Sequence, residues 1–408
     1  MSNFFNNKTS VFIATFAPYE NGIRLPTNGM IEPMLSFLLP KTKRLVLIDG
    51  FHPGSSNVIT KVYIYKREKN VKTYTSLVSI LLYPLLASQN QNATHIIFKL
   101  RDFLVPFEHV VRSRKRYDLF IGLESVYTLC GILLKKIGVV KQVVYYVSDY
   151  SPNRFPKKWF NDVYQWLDRY CATNADYIWD VSPAMQPARI QSGLDSNKSK
   201  KVIVVPNALF EKQINPAKDA QIIPYSIVYA GTLTKGNGPD IAIEAIKTII
   251  RKFPKTTLHI FGSNGDDQKR IKALIIKLGL EKCIFFHGFV TDAVDLTRDI
   301  NCYSIGLAPY IDSAGSHRKY GDATKLRLYM GAGLPIITTP VPPLGKYVEK
   351  IGAGIVVKDN PKDIARACIK LFVNNKLRRS MRRKAIEHAK HNTWENTYRL
   401  AFESLSNR

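Results

Sequence analysis

Acidic residues are scarce in this chain. Its 408 residues include 32 Asp and Glu against 59 Lys and Arg, a formal net charge of +27. Cysteine is sparse too: residues 130, 171, 283, 302 and 368 are scattered, with no CxxC pair and no pairing pattern. That excludes a disulfide framework and suits a reducing, intracellular setting. No window reaches the roughly 18 consecutive apolar residues that a bilayer-spanning helix requires. The first ten residues are polar and the apolar run Val11 to Phe16 is short, so no signal peptide is expected. HExxH is missing, and no expected strand end carries Asp-x-Asp. No metal or other cofactor is therefore expected.

What is present is a globular composition, with 45% hydrophobic and 11% aromatic residues. The length suits two domains of ordinary size. The positive excess favours anionic partners: phospholipid head groups, nucleic acid or phosphorylated substrates. Basic runs lie at Lys41 to Arg44, Arg112 to Arg116, Arg154 to Lys158 and Arg378 to Lys384, and any one run can equally be a solvated face. No recognition helix, RNP aromatic pattern or zinc spacing accompanies them, so nucleic acid is not the expected partner. Thr75 to Ala87 is the most apolar window, interrupted by Pro84. Its length fits a core or an interfacial helix, and the general preference for burial favours the core.

Short apolar strands alternate with helical patterns, the signature of parallel α/β layers. In the first half, strands are expected at 11–16, 45–49, 61–65, 118–122, 142–147 and 177–181. The loops at 17–30, 123–125 and 148–154 then share the carboxyl rim of the sheet, where ligands of such sheets bind. The architecture repeats after Val202-Ile-Val-Val-Pro-Asn-Ala208, with strands at 226–230, 257–261, 283–287 and 334–338. The expected domains are 1–204, 205–385, and a terminal segment 386–408 whose helix runs from about Trp394 to Leu405.

The stretch from Asp322 to Thr339 reads as a short helix, Thr324 to Met330, followed by a buried strand. Asp322 and Thr324 are good N-cap types, and Lys325 in the first turn adds a full charge to the partial positive charge of the helix end. This is a phosphate clamp or, more blandly, a helix with an exposed lysine. Gly231-Thr-Leu-Thr-Lys-Gly-Asn-Gly238 offers backbone N–H groups ahead of a second helix, another phosphate-cradling device. Gly262 with Ser263, and Phe289 with Val290, follow the next two strands as ligand-facing or merely packing turns. Asp149 ends the 142–147 strand and is either a general base or the cap of the following helix.

The lysine-bearing segment, and Ser304-Ile-Gly-Leu-Ala-Pro-Tyr310 before it, resemble the donor-diphosphate elements of GT-B glycosyltransferases. The chain from about 200 to 370 is similar to glycosyltransferase family 4. Leu123-Glu-Ser125, Asp149 and Val181-Ser-Pro-Ala-Met185 resemble the xanthan-type glucuronosyltransferases. The resemblance implies two Rossmann-like domains facing each other across a cleft, with the last helix crossing back to the first domain. It implies donor contacts at Gly231, Thr232, Lys235, Gly262, Ser263, Phe289, Val290, Thr324, Lys325 and Arg327. The usual loop arginine and lysine are replaced by Thr232 and Asn237, leaving Lys235 to compensate and more weight on Lys325. His317, Arg318 and Lys319 either approach the diphosphate or a carboxylated sugar, or lie in a solvated loop. The Glu-x7-Glu pair of retaining enzymes is also missing, its positions held by Tyr320 and Leu328, with Arg327 a substitute ribose contact. That favours an inverting, metal-independent mechanism with Asp149 as base and Glu124 as the alternative base or acceptor holder. The expected donor is a nucleotide sugar, with uracil as base. The expected acceptor is a glycan or lipid-linked saccharide on an anionic membrane, reached from the cytoplasmic side by a peripheral protein. The alternatives are a GT-B protein that only binds and, less favoured, a nucleic-acid-binding protein.

Overall fold

A computed structural model of the chain describes residues 8–17, 19–20, 23–24, 29–51, 59–87, 91–262, 265–313 and 316–405. The chain forms two compact units, Met1–Pro206 together with Thr397–Arg408, and Asn207–Asn396.

The first unit contains strands β1 (Ser10–Ala17), β2 (Tyr19–Glu20), β3 (Ile23–Arg24), β4 (Arg44–Phe51), β5 (Lys61–Lys66) and β6 (Lys69–Thr75). It continues with β7 (Tyr117–Leu123), β8 (Val140–Val147), β9 (Tyr177–Asp180) and β10 (Val202–Val204). Apart from the small β2–β3 pair, they form one sheet in the order β10-β9-β8-β7-β1-β4-β5-β6. The central strands are near-continuous apolar runs, as burial on both faces of a parallel sheet demands. The order reverses direction around β1, so the crevice beyond the carboxyl ends of β1 and β7 is where sheets of this topology bind their ligands.

Two expectations are corrected here. The sheet is not parallel throughout, because β4–β5 and β5–β6 pair antiparallel. Nor does Thr75 to Ala87 form a core helix. Ser76 caps a short helix, Leu77–Leu81, and a second follows at Tyr83–Leu86. Leu86 reaches the core beside Phe51 and Phe98, while Leu77, Ile80, Tyr83 and Leu85 are exposed and Leu81 is 78% exposed. The reason is spatial. The long helix Gln91–Ser113, unforeseen in the sequence, covers this side of the sheet and leaves the short helices only a single buried edge.

The pentapeptide ending at Met185 opens the helix Met185–Gln191, which supplies Arg189. Its guanidinium is fully buried, holding Asp180 in a two-point pair (2.6 and 2.9 Å) and Asp168 at 3.0 Å. That motif therefore pins the end of β9 to the helix Lys158–Asn174. Part of the final helix, Trp394–Glu403, also serves this unit: the Tyr398 hydroxyl donates to the Met30 carbonyl at 2.7 Å, and Phe402 stacks on Phe37.

The second unit contains β11 (Ser226–Ala230), β12 (Thr257–Phe261), β13 (Ile284–Gly288), β14 (Ile305–Ala308), β15 (Ile336–Thr338) and β16 (Gly354–Val356). The order is β13-β12-β11-β14-β15-β16, parallel throughout. Here the reversal lies between β11 and β14, so the expected ligand crevice is beyond Ala230 and Ala308.

Candidate active site

Each unit carries a cluster of candidate functional side chains beyond the carboxyl ends of its central strands. In the second unit, Lys325 stands beyond β11 and β14. It lies in the first turn of the helix Thr324–Gly331, whose N-terminus has no side-chain cap. The expected capping role of Asp322 is not seen. Its carboxylate instead accepts two hydrogen bonds from Arg327 (2.7 and 2.9 Å) and one from the Asn207 backbone N–H (2.9 Å). A carboxylate this deeply buried gains more from a bidentate guanidinium than from a helix end. The pairing also occupies the Arg327 fork. Thr324 is exposed at the helix start and does not cap it.

Lys325 is not the exposed lysine of the blander reading. Its Nζ is buried, has no hydrogen-bond partner, and lies 4.0 Å from the Tyr229 ring centroid and 5.2 Å from that of Tyr310. Burial, reinforced by the nearby Arg318 charge, lowers its pKa from 10.5 to about 7. An ammonium in this position is costly unless an anion arrives.

The glycine loop is shaped around it. A Cβ on Gly231 would meet Lys325 Cε at 2.8 Å, and one on Gly262 would strike the Gly231 carbonyl. Both residues have positive φ, so no other residue type fits without strain. Thr232 and Lys235 are exposed. Asn237 is buried, bonded to Thr232 and accepting 2.9 Å from Arg318 Nε, while Arg318 Nη2 reaches Thr234 Oγ1 at 3.4 Å. Arg318 comes from the turn His317–Lys319. A cation therefore reaches this loop from a different part of the chain, close to where the sequence pattern lacks arginine and lysine. Among the described residues neither Arg318 nor Lys325 pairs with a carboxylate. Phe289 is 66% exposed after β13, with Val290 half-buried beside it. Ser263 lies outside the described residues.

Tyr329, not singled out from the sequence, closes the crevice floor. Its hydroxyl accepts from the Ala230 N–H at 2.8 Å and donates to the Leu307 carbonyl at 3.0 Å, tying β11 to β14.

In the first unit, Glu124 and Asp149 follow β7 and β8. Glu124 adopts φ 71°, an unusual conformation for a non-glycine residue and a mark of functional or structural constraint. Its carboxylate is buried and accepts from Ser148 Oγ (3.1 Å) and the Tyr164 hydroxyl (3.0 Å). Arg154 lies between the two acids, 3.7 Å from Glu124 and 3.6 Å from Asp149, and donates to the Asp149 carbonyl at 2.8 Å. Asp149 does not cap the next helix, which begins at Lys158. Its side chain is 43% exposed against 3% for Glu124. Lys99, unremarked in the sequence, faces the same group, its pKa lowered by desolvation and, to a lesser extent, by Arg154. Among the described residues no group of three or more His, Cys, Asp or Glu side chains could hold a metal ion.

Comparison with known proteins bears on both the fold and the second-unit cluster. The solved structure of Anabaena HepE in complex with UDP matches with a TM-score of 0.68 at 15% identity, covering 98% of this chain and 100% of that one. Sucrose-phosphate synthase of Thermosynechococcus elongatus gives 0.69 at 14% identity, covering 97% and 100%. WaaG, a glycosyltransferase involved in lipopolysaccharide biosynthesis, gives 0.63 at 14%, covering 98% and 100%. The fold is GT-B.

Residues 224–374, which include the Lys325 cluster, match the family described as Glycosyl transferases group 1. Among curated relatives, the D-inositol 3-phosphate glycosyltransferase of Corynebacterium urealyticum is 25% identical over 247 residues. That match covers 56% of this chain and 56%, little more than half, of that relative's length. An uncharacterized glycosyltransferase of Methanocaldococcus jannaschii is 25% identical over 354 residues, covering 84% of this chain and 86% of that protein.

Proposed function

We propose that this protein transfers a hexosyl or glucuronosyl unit from a UDP-sugar to a glycan or lipid-linked saccharide, with inversion and without a metal. The observation that carries the donor half is the buried, unpartnered Lys325 ammonium, set among glycine backbone and beside Arg318. A diphosphate supplies the missing negative charge. The similar HepE structures hold UDP and UDP-glucose, which supports uracil as the base.

In the proposed step, the acceptor hydroxyl attacks the anomeric carbon while the Asp149 carboxylate takes its proton. The bond from that carbon to the diphosphate oxygen breaks, and UDP leaves with the electron pair. Lys325, Arg318 and the positive end of the helix Thr324–Gly331 stabilise the developing charge. Asp149 is the base rather than Glu124 because it is open to solvent, whereas both Glu124 oxygens are engaged by Ser148 and Tyr164. Glu124 and Arg154 hold its surroundings.

Thermal shift with nucleoside diphosphates in the presence of a chelator tests the donor reading. UDP at 100 times its dissociation constant is expected to add about 2.7 kcal/mol of stability. An Arg318→Ala variant should need more UDP for the same shift. Silence toward every nucleotide would remove this reading. A second reading, a GT-B protein that binds nucleotide without transfer, draws on Tyr320 and Leu328 standing where retaining enzymes carry carboxylates. Turnover of a UDP-sugar decides between them.

The acceptor half draws on the charge of +27 and on the exposed apolar side chains of the Leu77–Leu81 and Tyr83–Leu86 helices. Such a surface binds the anionic inner face of a membrane peripherally, consistent with the lack, among the described residues, of a helix long and apolar enough to cross one. The protein is expected to float with phosphatidylglycerol vesicles at low salt, and Leu81→Glu to weaken that flotation. A wild-type protein left at the bottom of the gradient would rule out the membrane-bound acceptor.

A further inference from the structure

The antiparallel edge of the first unit's sheet carries a feature that neither the donor cluster nor the Asp149 cluster uses. Between the β5–β6 hairpin, the start of β4 and the end of the helix Gln91–Ser113 lies a cavity of about 380 Å³. It is large enough for a small organic ligand. Arg44, Lys66, Lys72 and Arg112 line it, together with Tyr74 and His109, and no carboxylate is among its lining residues.

The charges are unevenly satisfied. Arg112 pairs with Glu108 at 2.9 Å and lies 4.3 Å from the Tyr74 ring centroid. Glu108 is otherwise occupied, accepting from Ser76 Oγ and from the Leu77 and Val78 backbone N–H groups. Arg44 Nε is buried without a hydrogen-bond partner. Among the described residues, Arg44, Lys66 and Lys72 have no ion-pair partner. The cavity floor is organised by the buried His109, hydrogen-bonded at 2.7 Å to both Tyr74 and Tyr117. Desolvation first, and then the Arg44 charge, lowers the His109 pKa to about 4, so the ring stays neutral at physiological pH. Ile64 and Val71 add an apolar wall.

We propose that this cavity binds a phosphate-bearing anion, either free or as the head group of a lipid. Arg44, whose buried Nε lacks a partner, lines the concavity with the exposed Lys66 and Lys72, none of them ion-paired among the described residues, and phosphate accepts from guanidinium and ammonium groups together. The site is separate from the proposed donor cluster, which lies wholly in the second unit. Glu108 fastens this cavity's helix to the first turn of the exposed apolar helix Leu77–Leu81. A lipid head group bound here would therefore lie on the same scaffold as an apolar surface.

The test uses the full chain and a Lys66→Gln/Lys72→Gln variant. Both lysines are exposed, so the core is untouched. Inorganic phosphate, and phosphatidylcholine vesicles with and without phosphatidic acid, are the probes. If the source is free phosphate, it stabilises the wild type and the variant binds it at least about tenfold more weakly. If the source is lipid, phosphatidic acid vesicles capture the wild type and the variant loses that capture, with free phosphate inert. A second variant, Arg44→Gln, is expected to act in the same direction. Failure of every probe to bind, or binding that both variants retain, would overturn the proposal. UDP-induced stabilisation is scored in the same proteins and in Lys325→Met. The part of it that Lys325→Met removes reports on the donor cluster and the part that Lys66→Gln/Lys72→Gln removes reports on this cavity, so the two sites fail or succeed separately.

Discussion

Replacing Lys325 by methionine is expected to make the ligand-free protein more stable and, at the same time, to abolish its response to UDP. The two effects share one cause. The folded protein buries Lys325 Nζ without a partner, and desolvation lowers its pKa to about 7 where the ordinary value is 10.5. Between those values the unfolded chain carries the proton and the folded chain does not. Stability therefore rises with pH across this window. The penalty is fully present below pH 7 and gone above pH 10.5. The gap between 10.5 and about 7 corresponds to about 5 kcal/mol. Methionine removes the penalty and keeps the apolar stem, so unfolding curves of wild type and variant should converge as pH rises from 7.

UDP acts on the same equilibrium from the other side. Its phosphates are fully ionised above pH 7, the second phosphate pKa being about 6, and they restore the ammonium. Binding should take up a proton between pH 7 and 10.5, and affinity should fall as pH climbs through that range. Calorimetry in two buffers of different ionisation heat measures this uptake. Equal UDP affinity at pH 7 and pH 9, or a methionine variant that binds like wild type, would show that the diphosphate does not meet Lys325.

Most strands of both sheets are legible in the sequence because buried parallel strands are near-continuous apolar runs that need no partner to be recognised. The runs Ile227 to Ala230, Leu119 to Ile121 and Leu45 to Ile48 are of this kind. What escaped was decided by packing. The strand Lys69–Thr75 is mostly exposed lysine, asparagine and threonine, and its pairing with β5 draws on backbone hydrogen bonds that leave no apolar pattern. The apolar window after it has the composition of core, yet whether such a segment is covered depends on a helix that starts four residues beyond its end, at Gln91.

The same division runs through the site. Lys325 was visible because a helix start before a buried strand is local. That it would be buried against Tyr229 and Tyr310 was not, since those side chains come from β11 and from the segment after β14. Asp322 has the residue type of a cap, but Arg327 lies within its reach, and residue type alone does not choose between a helix end and a guanidinium. In the sequence Arg318 stands out only as one of three basic residues, 317–319, that either approach the diphosphate or lie in a solvated loop, and Arg154 only as a member of a basic run. Each is set apart from its neighbours by what it reaches: Asn237 and Thr234 for one, Glu124 and Asp149 for the other. Replacement of the loop cations by Thr232 and Asn237 thus has a structural counterpart. Asn237 offers its side-chain oxygen to Arg318, so positive charge still reaches the loop, delivered from residue 318.

Asp149→Asn is expected to lower the rate of sugar transfer by about 10²–10⁴, the usual worth of a positioned general base. UDP binding should be unchanged, because the groups proposed to hold the diphosphate are Lys325, Arg318 and the start of the helix Thr324–Gly331, not Asp149. The amide keeps the size of the side chain but cannot take the acceptor proton. Glu124→Gln should behave differently. Its carboxylate is buried, accepts from Ser148 and Tyr164, and lies 3.7 Å from Arg154, so its neutralisation leaves Arg154 with less compensation in a desolvated position. Unpairing a buried charge costs about 3–5 kcal/mol when the pair is fully desolvated, and Arg154 is 23% exposed, so a smaller loss of stability is expected. The two variants thus separate chemistry from architecture: Asp149→Asn loses rate at constant melting temperature, and Glu124→Gln loses melting temperature. Wild-type turnover in Asp149→Asn would remove Asp149 as the base, and loss of turnover in Glu124→Gln without loss of stability would transfer the role to Glu124.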